Sequence, residues 1–565
     1  MNRRLRLALV AVLLVALGST VRPASREPVQ GKQAMVVSVS RHASEAGVEI
    51  LKKGGNAVDA AVAVGFALAV TWPAAGNLGA DGFMVIHGAT GKNVAIDYRA
   101  MAPRRASRDM FLDEKGGVKL DLLRMGHLSA GVPGAVAGLL LALESHGTLD
   151  RATVLAPAIR LAAEGFEVDQ YLATSIREAE TRLSPFPESR RIFLRDGKFY
   201  EPGDRLVQPD LAASLRLIAE QGAKGFYEGR VARLIADEMR KGGGIIDEED
   251  LRGYRALERQ PVTGTYRGHT IVSMPPPSSG GAALVEMLNM VEPYDLASLG
   301  HNSSAHLHLV AEVMKRAYAD RAEFMADSDF APVPVRGLVS KRYAEIRRKG
   351  IDPMRATPSA EIRAGDPLPF ESEATTHFSV VAPDGSAVSN TYTLKSLFGS
   401  GVTIPGTGFI MNDEMDNFTV KVGEPNTFGL IQAAANAIEP GKRPLSSMTP
   451  SIVLKDGRVR LVAGTPGGST IINTVFQLVM NVVDFGLDAQ EAVDASRIHH
   501  QWLPDILAYE RNGMVRDVQG ALKSRGHVLE ERRAIGDAHI IVVDDKSGLR
   551  LGGADPRRGG HAVGY

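Results

Sequence analysis

The sequence predicts an α+β fold in which layers of helices cover stacked β-sheets. Two observations predict it. Residues 40–71 and most of residues 130–350 show helical patterns of apolar residues. After residue 374 the chain instead combines β-rich hairpins with helices. Elements of this kind bury their apolar faces by packing helices onto sheets, which gives a layered fold.

The first part begins with two predicted helices and two predicted strands. The stretch "RHASEAGVEILKKGG" ends in a glycine pair, which is typical of a helix C-terminus. "NAVDAAVAVGFALAVTW" follows and is apolar nearly all round, so we expect it to be buried on several sides. A glycine-rich turn, "AAGNLGADG", then leads into the predicted strands "FMVIHG" and "NVAIDYRAM". Residues 130–350 are predicted to be mainly helical, interrupted by the strand "HTIVSM" and the loop "PPPSSGG".

The second part contains three predicted hairpins and a helix. The hairpins are "THFSVVAPDGSAVSNTYTL", "PSIVLKDGRVRLVAG" and "DAHIIVVDDKSGLRLGGADP", and two of them turn at Asp-Gly. The helix is "GGSTIINTVFQLVMNVVDFG". A polar connector with several prolines, residues 351–374, separates the two parts and is predicted to be an exposed loop.

The N-terminus has the features of a secretory signal. A basic start, "MNRRLR", precedes the apolar run "LALVAVLLVALG", which is shorter than the about 20 residues of a transmembrane helix. We therefore predict a signal peptide over about residues 1–30 and export to the periplasm or the medium; an uncleaved anchor is the alternative. No later segment is apolar enough to span a membrane, so no stable span is expected once the signal is removed.

Composition excludes several classes of function. Lys and Arg total 65, as do Asp and Glu, so no overall field attracts nucleic acid. The chain has no cysteine, which excludes disulfides, thiol nucleophiles and thiolate metal sites. The pairs His306/His308 and His499/His500 have poor spacing for sharing a metal on a helix or strand. Serine-hydrolase, phosphate-loop and zinc-protease motifs are also missing, so hydroxyls and glycines remain as candidates for chemistry.

Thr375 opens a predicted strand directly after the connector. A threonine hydroxyl is a weak nucleophile that needs a base. If the Ala374–Thr375 bond is cut, the new α-amine, with a pKa of roughly 7.7–8.0, can take the hydroxyl proton. The same hydroxyl can first attack the Ala374 carbonyl. Taken alone, however, a Thr-Thr pair is more often an ordinary strand segment.

Acyl transfer also needs donors for an oxyanion. The stretch "GTPGGST" lies between a predicted strand and a helix, so Gly467 and Gly468 can direct backbone N–H groups to one point. In "KRPLSSMTP", Ser446 and Ser447 place two hydroxyls in a loop flanked by prolines. Each of these features alone is also compatible with a simple turn.

Together, these stretches resemble one family. "TTHFSVV", "TYTL", "GKRPLSSMTPSIV", "GTPGGS" and "HHQWLPD" occur in the order and spacing of the γ-glutamyltranspeptidases, which belong to the N-terminal-nucleophile hydrolases. "GGNAVDAAVAVGFALAVT", "AIDYRAMAP", "SMPPPSSGG" and "ADPRRGGHAVGY" are also similar to that family. The resemblance covers about residues 35–565 and implies a four-layer αββα sandwich built from both products of a self-cleavage.

The resemblance implies a self-processing γ-glutamyltransferase and glutathione hydrolase without cofactor or metal. It implies a large subunit, 31–374, and a small subunit, 375–565, that associate as a heterodimer. Its substrates would be a glutathione-like γ-glutamyl donor and a water, amino-acid or peptide acceptor. The implied residues are the nucleophile Thr375, cleaved from Ala374; the orienting Thr393; the oxyanion donors Gly467 and Gly468; the carboxylate ligands Arg99, Ser446 and Ser447; the α-amino contact Glu414; and the lid residue Phe428.

Two substrate-binding positions depart from the family pattern. Lys395 stands where the family often has Asn or an acidic residue, and Asn417 where it usually has Asp. Both positions help to bind the substrate ammonium, so one alternative is an acylase of the same fold and mechanism for glutaryl-type or other amides that lack the α-amino group. Another alternative is an unprocessed, non-catalytic protein of the cell envelope that binds γ-glutamyl ligands. Asp81, in a turn where the family has glycines, has no evident consequence at the level of sequence.

Overall fold

The protein is described by a computed structural model that covers residues 25–367 and 377–565. Its strands are β1 (Val29–Gly31), β2 (Met35–Ser38), β3 (Asp81–His87), β4 (Asn93–Tyr98), β5 (Phe166–Glu167), β6 (Arg205–Leu206), β7 (Leu257–Arg259), β8 (Val262–Tyr266), β9 (His269–Ser273), β10 (Phe378–Val381), β11 (Ala387–Thr393), β12 (Ser451–Lys455), β13 (Arg458–Ala463), β14 (Ile498–His499), β15 (Leu507–Glu510), β16 (Leu529–Arg532), β17 (His539–Val543), β18 (Arg550–Ala554) and β19 (His561–Gly564).

Two large sheets form the centre of the fold. One has the strand order β1-β18-β17-β13-β12-β9-β8, and the other has the order β19-β2-β10-β11-β3-β4-β7. All neighbouring strands within these two sheets are antiparallel. Each sheet contains strands from both sides of the connector, so the two parts of the chain are interleaved rather than folded separately. Two small sheets, β14-β15-β16 and β5-β6, lie outside this pair.

The alternation of side chains along the strands explains the stacking of the sheets. Met35 and Val37 in β2 belong to an apolar cluster shared with residues of the other sheet, such as Ile452. Val36, between them, belongs to the cluster formed with the first helices. In the other sheet, Val453 likewise packs with helices rather than with the facing sheet. Successive strand residues point to opposite faces, so each sheet is covered by a sheet on one side and by helices on the other.

The helices form the two outer layers. One layer packs on the sheet that contains β2 and β3, and the other on the sheet that contains β12 and β13. The α-helices are Arg41–Lys52, Ala57–Thr71, Leu120–Arg124, Ala135–His146, Arg151–Glu164, Gln170–Glu178, Glu180–Leu183, Pro187–Phe193, Pro209–Gln221, Lys224–Tyr227, Gly229–Lys241, Glu248–Gly253, Gly280–Val291, Leu296–Leu299, Ser304–Phe324, Val335–Leu338, Lys341–Arg348, Thr470–Val483, Ala489–Asp494 and Arg516–Ser524.

The helix Ala57–Thr71 shows how the sequence specifies a buried element. Asn56 caps it by accepting hydrogen bonds from Val58 N and Asp59 N, and Asp59 accepts one from Asn56 N in return. This capping box satisfies N–H groups that the first turn leaves unpaired. Every residue of the helix is buried, as its apolar sequence predicts. The helix therefore covers one face of the sheet that contains β3.

Most predicted elements are confirmed. The first two helices, the three hairpins, the strand at β9 and the helix Thr470–Val483 are present. The region predicted to be interrupted by one strand contains further short strands, among them β7 and β8. Each has too few alternating residues to be distinguished from the helical segments around it. Pairing of β7 with β4 and of β8 with β9 stabilises them. Over residues 25–367 and 377–565, no helix has the length and apolar character needed to cross a membrane.

Candidate active site

A cavity of about 280 Å³ brings together six residues that the sequence predicts for the site. It lies between the end of β11, the 310 turn Glu414–Asn417 and the turn that precedes the helix Thr470–Val483. The six residues that line it are Thr393, Lys395, Asn417, Phe428, Gly467 and Gly468. Arg99, Glu414, Ser446 and Ser447 are buried nearby but do not line it. Ala374 and Thr375 lie outside the described residues.

Thr393 is the last residue of β11 and is almost fully buried. Its partner across the sheet is Asp81, the first residue of β3. The Thr393 hydroxyl oxygen accepts a hydrogen bond of 2.8 Å from Lys395 N. Because this bond uses an acceptor site, the hydroxyl proton is still available for donation to a group in the cavity.

Gly467 and Gly468 form the turn that begins the helix Thr470–Val483. Their φ values are +142° and +59°, which residues other than glycine rarely adopt. A Cβ atom on Gly468 would lie 2.6 Å from Cδ1 of Phe428, and one on Gly467 would lie 2.3 Å from Oγ1 of Thr470. Both the conformation and the space therefore require glycine here. We refer to Thr393, Gly467 and Gly468 as the Thr–Gly group.

Lys395 extends its ammonium group along the cavity into a buried acidic environment. Its Nζ lies 2.6 Å from Oδ2 of Asp416 and 3.8 Å from Oδ2 of Asp413, and its side chain is 1% exposed. It also lies 5.2 Å from the centre of the Phe428 ring, within the range of a cation–π interaction. Thr427 donates a hydrogen bond to the same Asp416 oxygen. Lys395 is thus held by protein groups rather than extended into solvent.

Arg99 is fully buried between two carboxylates. Its Nη1 lies 3.0 and 2.9 Å from the two carboxylate oxygens of Asp81, and its Nη2 lies 2.8 Å from Oε2 of Glu414. Its Nε donates to the Pro444 carbonyl oxygen at 3.2 Å. Asp81 also accepts a hydrogen bond of 2.6 Å from Ala100 N. The guanidinium group that the resemblance assigns to a substrate carboxylate is therefore already bound by protein carboxylates.

Burial changes the pKa of the two carboxylic acids that bind Arg99. Burial raises the pKa of Asp81 well above its ordinary value, and the Arg99 charge opposes this shift. Burial also raises the pKa of Glu414, again against Arg99. Asn417 donates a hydrogen bond of 2.6 Å from Nδ2 to Oε2 of Glu414, so its amide links the cavity to these ion pairs. The buried charge cluster, as we use the term below, consists of Asp81, Arg99, Lys395, Asp413, Glu414 and Asp416.

Ser446 and Ser447 lie in a buried loop and do not line the cavity. The Ser447 hydroxyl oxygen accepts a hydrogen bond of 3.2 Å from Nη2 of Arg321. The Ser446 carbonyl oxygen accepts one of 3.2 Å from the Ser279 hydroxyl, and Ser446 forms a parallel bridge with Ser278. The prolines that flank this loop were its signal in the sequence. Its role toward a substrate carboxylate stays a prediction.

His377 is the first described residue after the predicted cleavage site. Its Nε2 lies 2.6 Å from the Ser379 hydroxyl and its Nδ1 lies 3.1 Å from that of Thr391. Burial lowers the pKa of His377 well below its ordinary value, so the ring is neutral. A Cβ atom on Gly464 would lie 2.3 Å from His377 Nδ1. The chain therefore enters β10 directly beside the segment that leads to Gly467 and Gly468.

Two residues at the site, Asp81 and Arg558, were missed as functional candidates, and the contact of a third, Asp416, was not predicted. Asp81 was visible as a departure from glycine, but its partner Arg99 is 18 positions away and only the β3–β4 pairing brings them together. Asp416, the partner of Lys395, lies in a stretch with several acids, and the sequence does not show which one makes the contact. Arg558 lines the cavity from the C-terminal segment. Its only signal is its place in "ADPRRGG".

Comparison with known proteins identifies the family. The sequence model described as Gamma-glutamyltranspeptidase matches residues 43–565. The chain belongs to the γ-glutamyltranspeptidase family. The match includes every residue that lines the cavity and every residue of the buried charge cluster.

Relatives in this family carry two kinds of name. The glutathione hydrolase proenzyme of Escherichia coli (strain K12) is 48% identical to this γ-glutamyltranspeptidase family member over 94% of this chain and 91% of its own length. The acylase ACY 1 proenzyme of Pseudomonas sp. (strain SE83) is 40% identical over 92% of this chain and 91% of its own. A crystal structure of cephalosporin acylase from Bacillus halodurans has a TM-score of 0.85 at 29% identity, covering 97% of this chain and 98% of that one. The predicted four-layer α+β architecture is confirmed.

Proposed function

We propose that this protein is a self-processing γ-glutamyltransferase with glutathione hydrolase activity. Two findings support it: the family match over residues 43–565 and the 48% identity to a glutathione hydrolase proenzyme. The observation that carries the proposal is the cavity in which Thr393, Gly467 and Gly468 meet. A protein that only binds a ligand needs no such arrangement of a hydroxyl and two backbone N–H groups.

The first reaction is cleavage of the chain by its own hydroxyl group. The Thr375 hydroxyl oxygen attacks the Ala374 carbonyl carbon, the C–N bond breaks and the Thr375 nitrogen takes the proton, which leaves an ester. Water then hydrolyses this ester to give a carboxylate on Ala374 and a free α-amine on Thr375. The products, 31–374 and 375–565, would stay together as a heterodimer because both contribute strands to each large sheet.

The second reaction is acyl transfer by the same hydroxyl group. The α-amine of Thr375 accepts the hydroxyl proton while the oxygen attacks the γ-carbonyl of the donor. The Thr393 hydroxyl donates a hydrogen bond that orients the nucleophile, and the N–H groups of Gly467 and Gly468 stabilise the oxyanion. The C–N bond breaks, the departing amine takes the proton, and water or an amino-acid amine resolves the ester. The position of His377 beside Gly464 supports a nucleophile near this turn.

The buried charge cluster supports a role in binding the acyl group. Among the described residues, Oε1 of Glu414 has no hydrogen-bond partner, so it can accept one from a donor ammonium. Arg99, with Ser446 and Ser447, would bind the α-carboxylate of the donor. Because Asp81 and Glu414 bind Arg99 in the structure, this contact requires the guanidinium group to exchange one of them for the substrate.

A second candidate is an acylase for glutaryl-type amides, and the contacts of Asn417 and Lys395 favour it. The Asn417 amide is neutral, and its Nδ2 already donates to Glu414. Lys395 adds a cation where a donor ammonium would approach. A relative named as an acylase has 40% identity. Lys395→Asn separates the two candidates, since it removes the cation: it should raise γ-glutamyl turnover relative to glutaryl turnover.

The test of the proposed function combines a denaturing gel with two substrates. We expect the wild type to yield two fragments that meet at residue 375 and to hydrolyse a γ-glutamyl anilide, and we expect Thr375→Ala to remain one inactive chain. Hydrolysis of a glutaryl anilide alone would establish the acylase alternative. A single uncleaved band that is the same in both proteins, without turnover of either anilide, would instead support a non-catalytic envelope protein.

Export of the protein is part of the proposal. The basic and apolar segments of residues 1–30 support a signal peptide and a periplasmic or secreted enzyme. Cell fractionation with N-terminal sequencing tests it. We expect the large subunit in the exported fraction to begin near residue 30, and a large subunit that retains Met1 in the cytoplasm would contradict it.

A further inference from the structure

Two adjacent arginines near the C-terminus have different environments. Arg557 is bound by protein carboxylates: its Nη2 lies 2.5 Å from Oε2 of Glu510 and its Nη1 lies 3.0 Å from Oδ1 of Asp555. Arg558 is exposed and, among residues 25–367 and 377–565, forms no ion pair. Arg557 therefore fixes the segment to the fold, and Arg558 carries a charge that the described structure does not neutralise.

Arg558 lines the same cavity as the Thr–Gly group. The charged residues that line this cavity in the described structure are Lys395 and Arg558, and both are cations. Lys395 is ion-paired with Asp416 at 2.6 Å, whereas Arg558 has no ion pair among the described residues. An arginine fork is suited to bind a carboxylate with two parallel hydrogen bonds.

Arg558 lies at one end of the cavity. It also lines a small neighbouring cavity with His377 and Asp537, which Lys395, Asn417 and Phe428 do not reach. Phe428 instead lines another neighbouring cavity with His499, which Arg558 does not reach. The cavity thus has a Phe428 end, where Lys395 and Asn417 adjoin the buried charge cluster, and an Arg558 end.

Asp537, which lines the neighbouring cavity together with Arg558, does not neutralise the Arg558 charge. Burial raises the pKa of Asp537 to about 8, with a further rise from Asp555 and an opposing effect of Arg558. Asp537 is therefore mostly neutral at pH 7. Its Oδ1 has no hydrogen-bond partner among the described residues, so it does not occupy the guanidinium group.

We propose that Arg558 binds the carboxylate of the leaving peptide, and of the amino acid or peptide that accepts the acyl group. This inference rests on the proposed function, and it assigns the acyl group to the Phe428 end of the cavity and the amine to the Arg558 end. The ligand class is an amino acid or short peptide with a free C-terminal carboxylate. Arg558 would determine specificity without touching the reacting atoms.

The test varies the carboxylate while the acyl group stays the same. Glutathione and its C-terminal amide differ only in the charge of the departing dipeptide. We expect the wild type to prefer glutathione about tenfold in kcat/KM, mainly through KM, as one charge-assisted hydrogen bond implies. Arg558→Ala should lose this preference, and Arg558→Lys should keep part of it. Turnover of γ-glutamyl p-nitroanilide, whose leaving group lacks a carboxylate, should change less than about twofold in either variant.

Arg511→Ala is the matched control, because Arg511 is an exposed arginine outside the cavity, and its Nε lies 4.0 Å from Oε1 of the exposed Glu531. It should behave as the wild type does with all three substrates. An equal preference for the acid in the wild type and in Arg558→Ala would overturn the proposal. Calorimetric titration of glycylglycine and its amide, which needs no turnover, decides the same point. If no donor is hydrolysed at all, the proposed function fails, whereas this titration still tests Arg558.

Discussion

The Thr–Gly group and the buried charge cluster adjoin the same cavity but depend on different interactions. The Thr–Gly group consists of a strand end and a helix start, and it requires backbone conformations that glycine provides. The buried charge cluster consists of side chains from β3, the end of β4 and two later loops, held by ion pairs. The glycine pair has a signal within one short stretch of sequence, whereas each ion pair joins residues that are 18 or more positions apart. If the proposed roles hold, catalysis and donor selection depend on separate sets of interactions.

Removal of Arg99 should have the largest effect. Arg99→Met leaves the buried carboxylates of Asp81 and Glu414 without their shared cation, and breaking a buried ion pair in this way costs about 3–5 kcal/mol. We expect a free energy of unfolding lower by about this amount, measured by chemical denaturation. The double variant Asp81→Asn/Arg99→Met should recover part of the loss because one uncompensated charge is gone. Equal stability of the wild type and Arg99→Met would show that the cluster is not held by this arginine.

A glycine in the Thr–Gly group should affect catalysis with little effect on the fold. Gly468→Ala places a Cβ atom 2.6 Å from Phe428 at a φ of +59°, so the turn must shift and its N–H group moves away from the oxyanion. Loss of one oxyanion donor lowers kcat by about 10²–10³. Gly457→Ala is the matched control, because Gly457 has a φ of +76° but no atom near its Cβ position. A similar fall in kcat for both variants would attribute the effect to backbone strain alone.

The same difference decides what the sequence can predict. The hairpins, the buried helix Ala57–Thr71 and the glycine turn follow from short periodic patterns, and the structure confirms them. The partners of Arg99 and Lys395 could not be predicted in this way. Several acids lie near each in the chain, and only strand pairing and the turn Glu414–Asn417 select Asp81, Glu414 and Asp416. Arg558 was hidden for the same reason, since nothing local distinguishes it from Arg557.

Donor preference should respond to an exchange of charge within the cluster. In the structure, Asn417 Nδ2 lies 2.6 Å from Glu414 Oε2. The single variant Asn417→Asp would bring two carboxyl groups this close together, so the pair must share a proton. The double variant Glu414→Gln/Asn417→Asp keeps the hydrogen bond and moves the negative charge to the residue that lines the cavity. We expect the double variant to raise the ratio of γ-glutamyl to glutaryl kcat/KM about tenfold, and the single variant to raise it less. An unchanged ratio in the double variant would exclude position 417 from ammonium binding.

Asp537 provides an effect that is small per pH unit, and it tests whether a buried acid also matters on the side of the Thr–Gly group. Its backbone N donates to the Thr465 hydroxyl, two residues before Gly467. Burial raises the pKa of Asp537 to about 8, so the folded protein holds a proton that the unfolded chain releases near an ordinary value of 3.8. The unfolded state therefore binds fewer protons between these values, and the free energy of unfolding falls as the pH rises, by at most about 1.4 kcal/mol per pH unit. Asp537→Asn should flatten this slope between pH 5 and pH 8 in urea titrations.

Because Arg558 opposes the rise in the pKa of Asp537, Arg558→Ala should extend the slope to higher pH. A slope that persists in Asp537→Asn would assign the pH dependence to other groups.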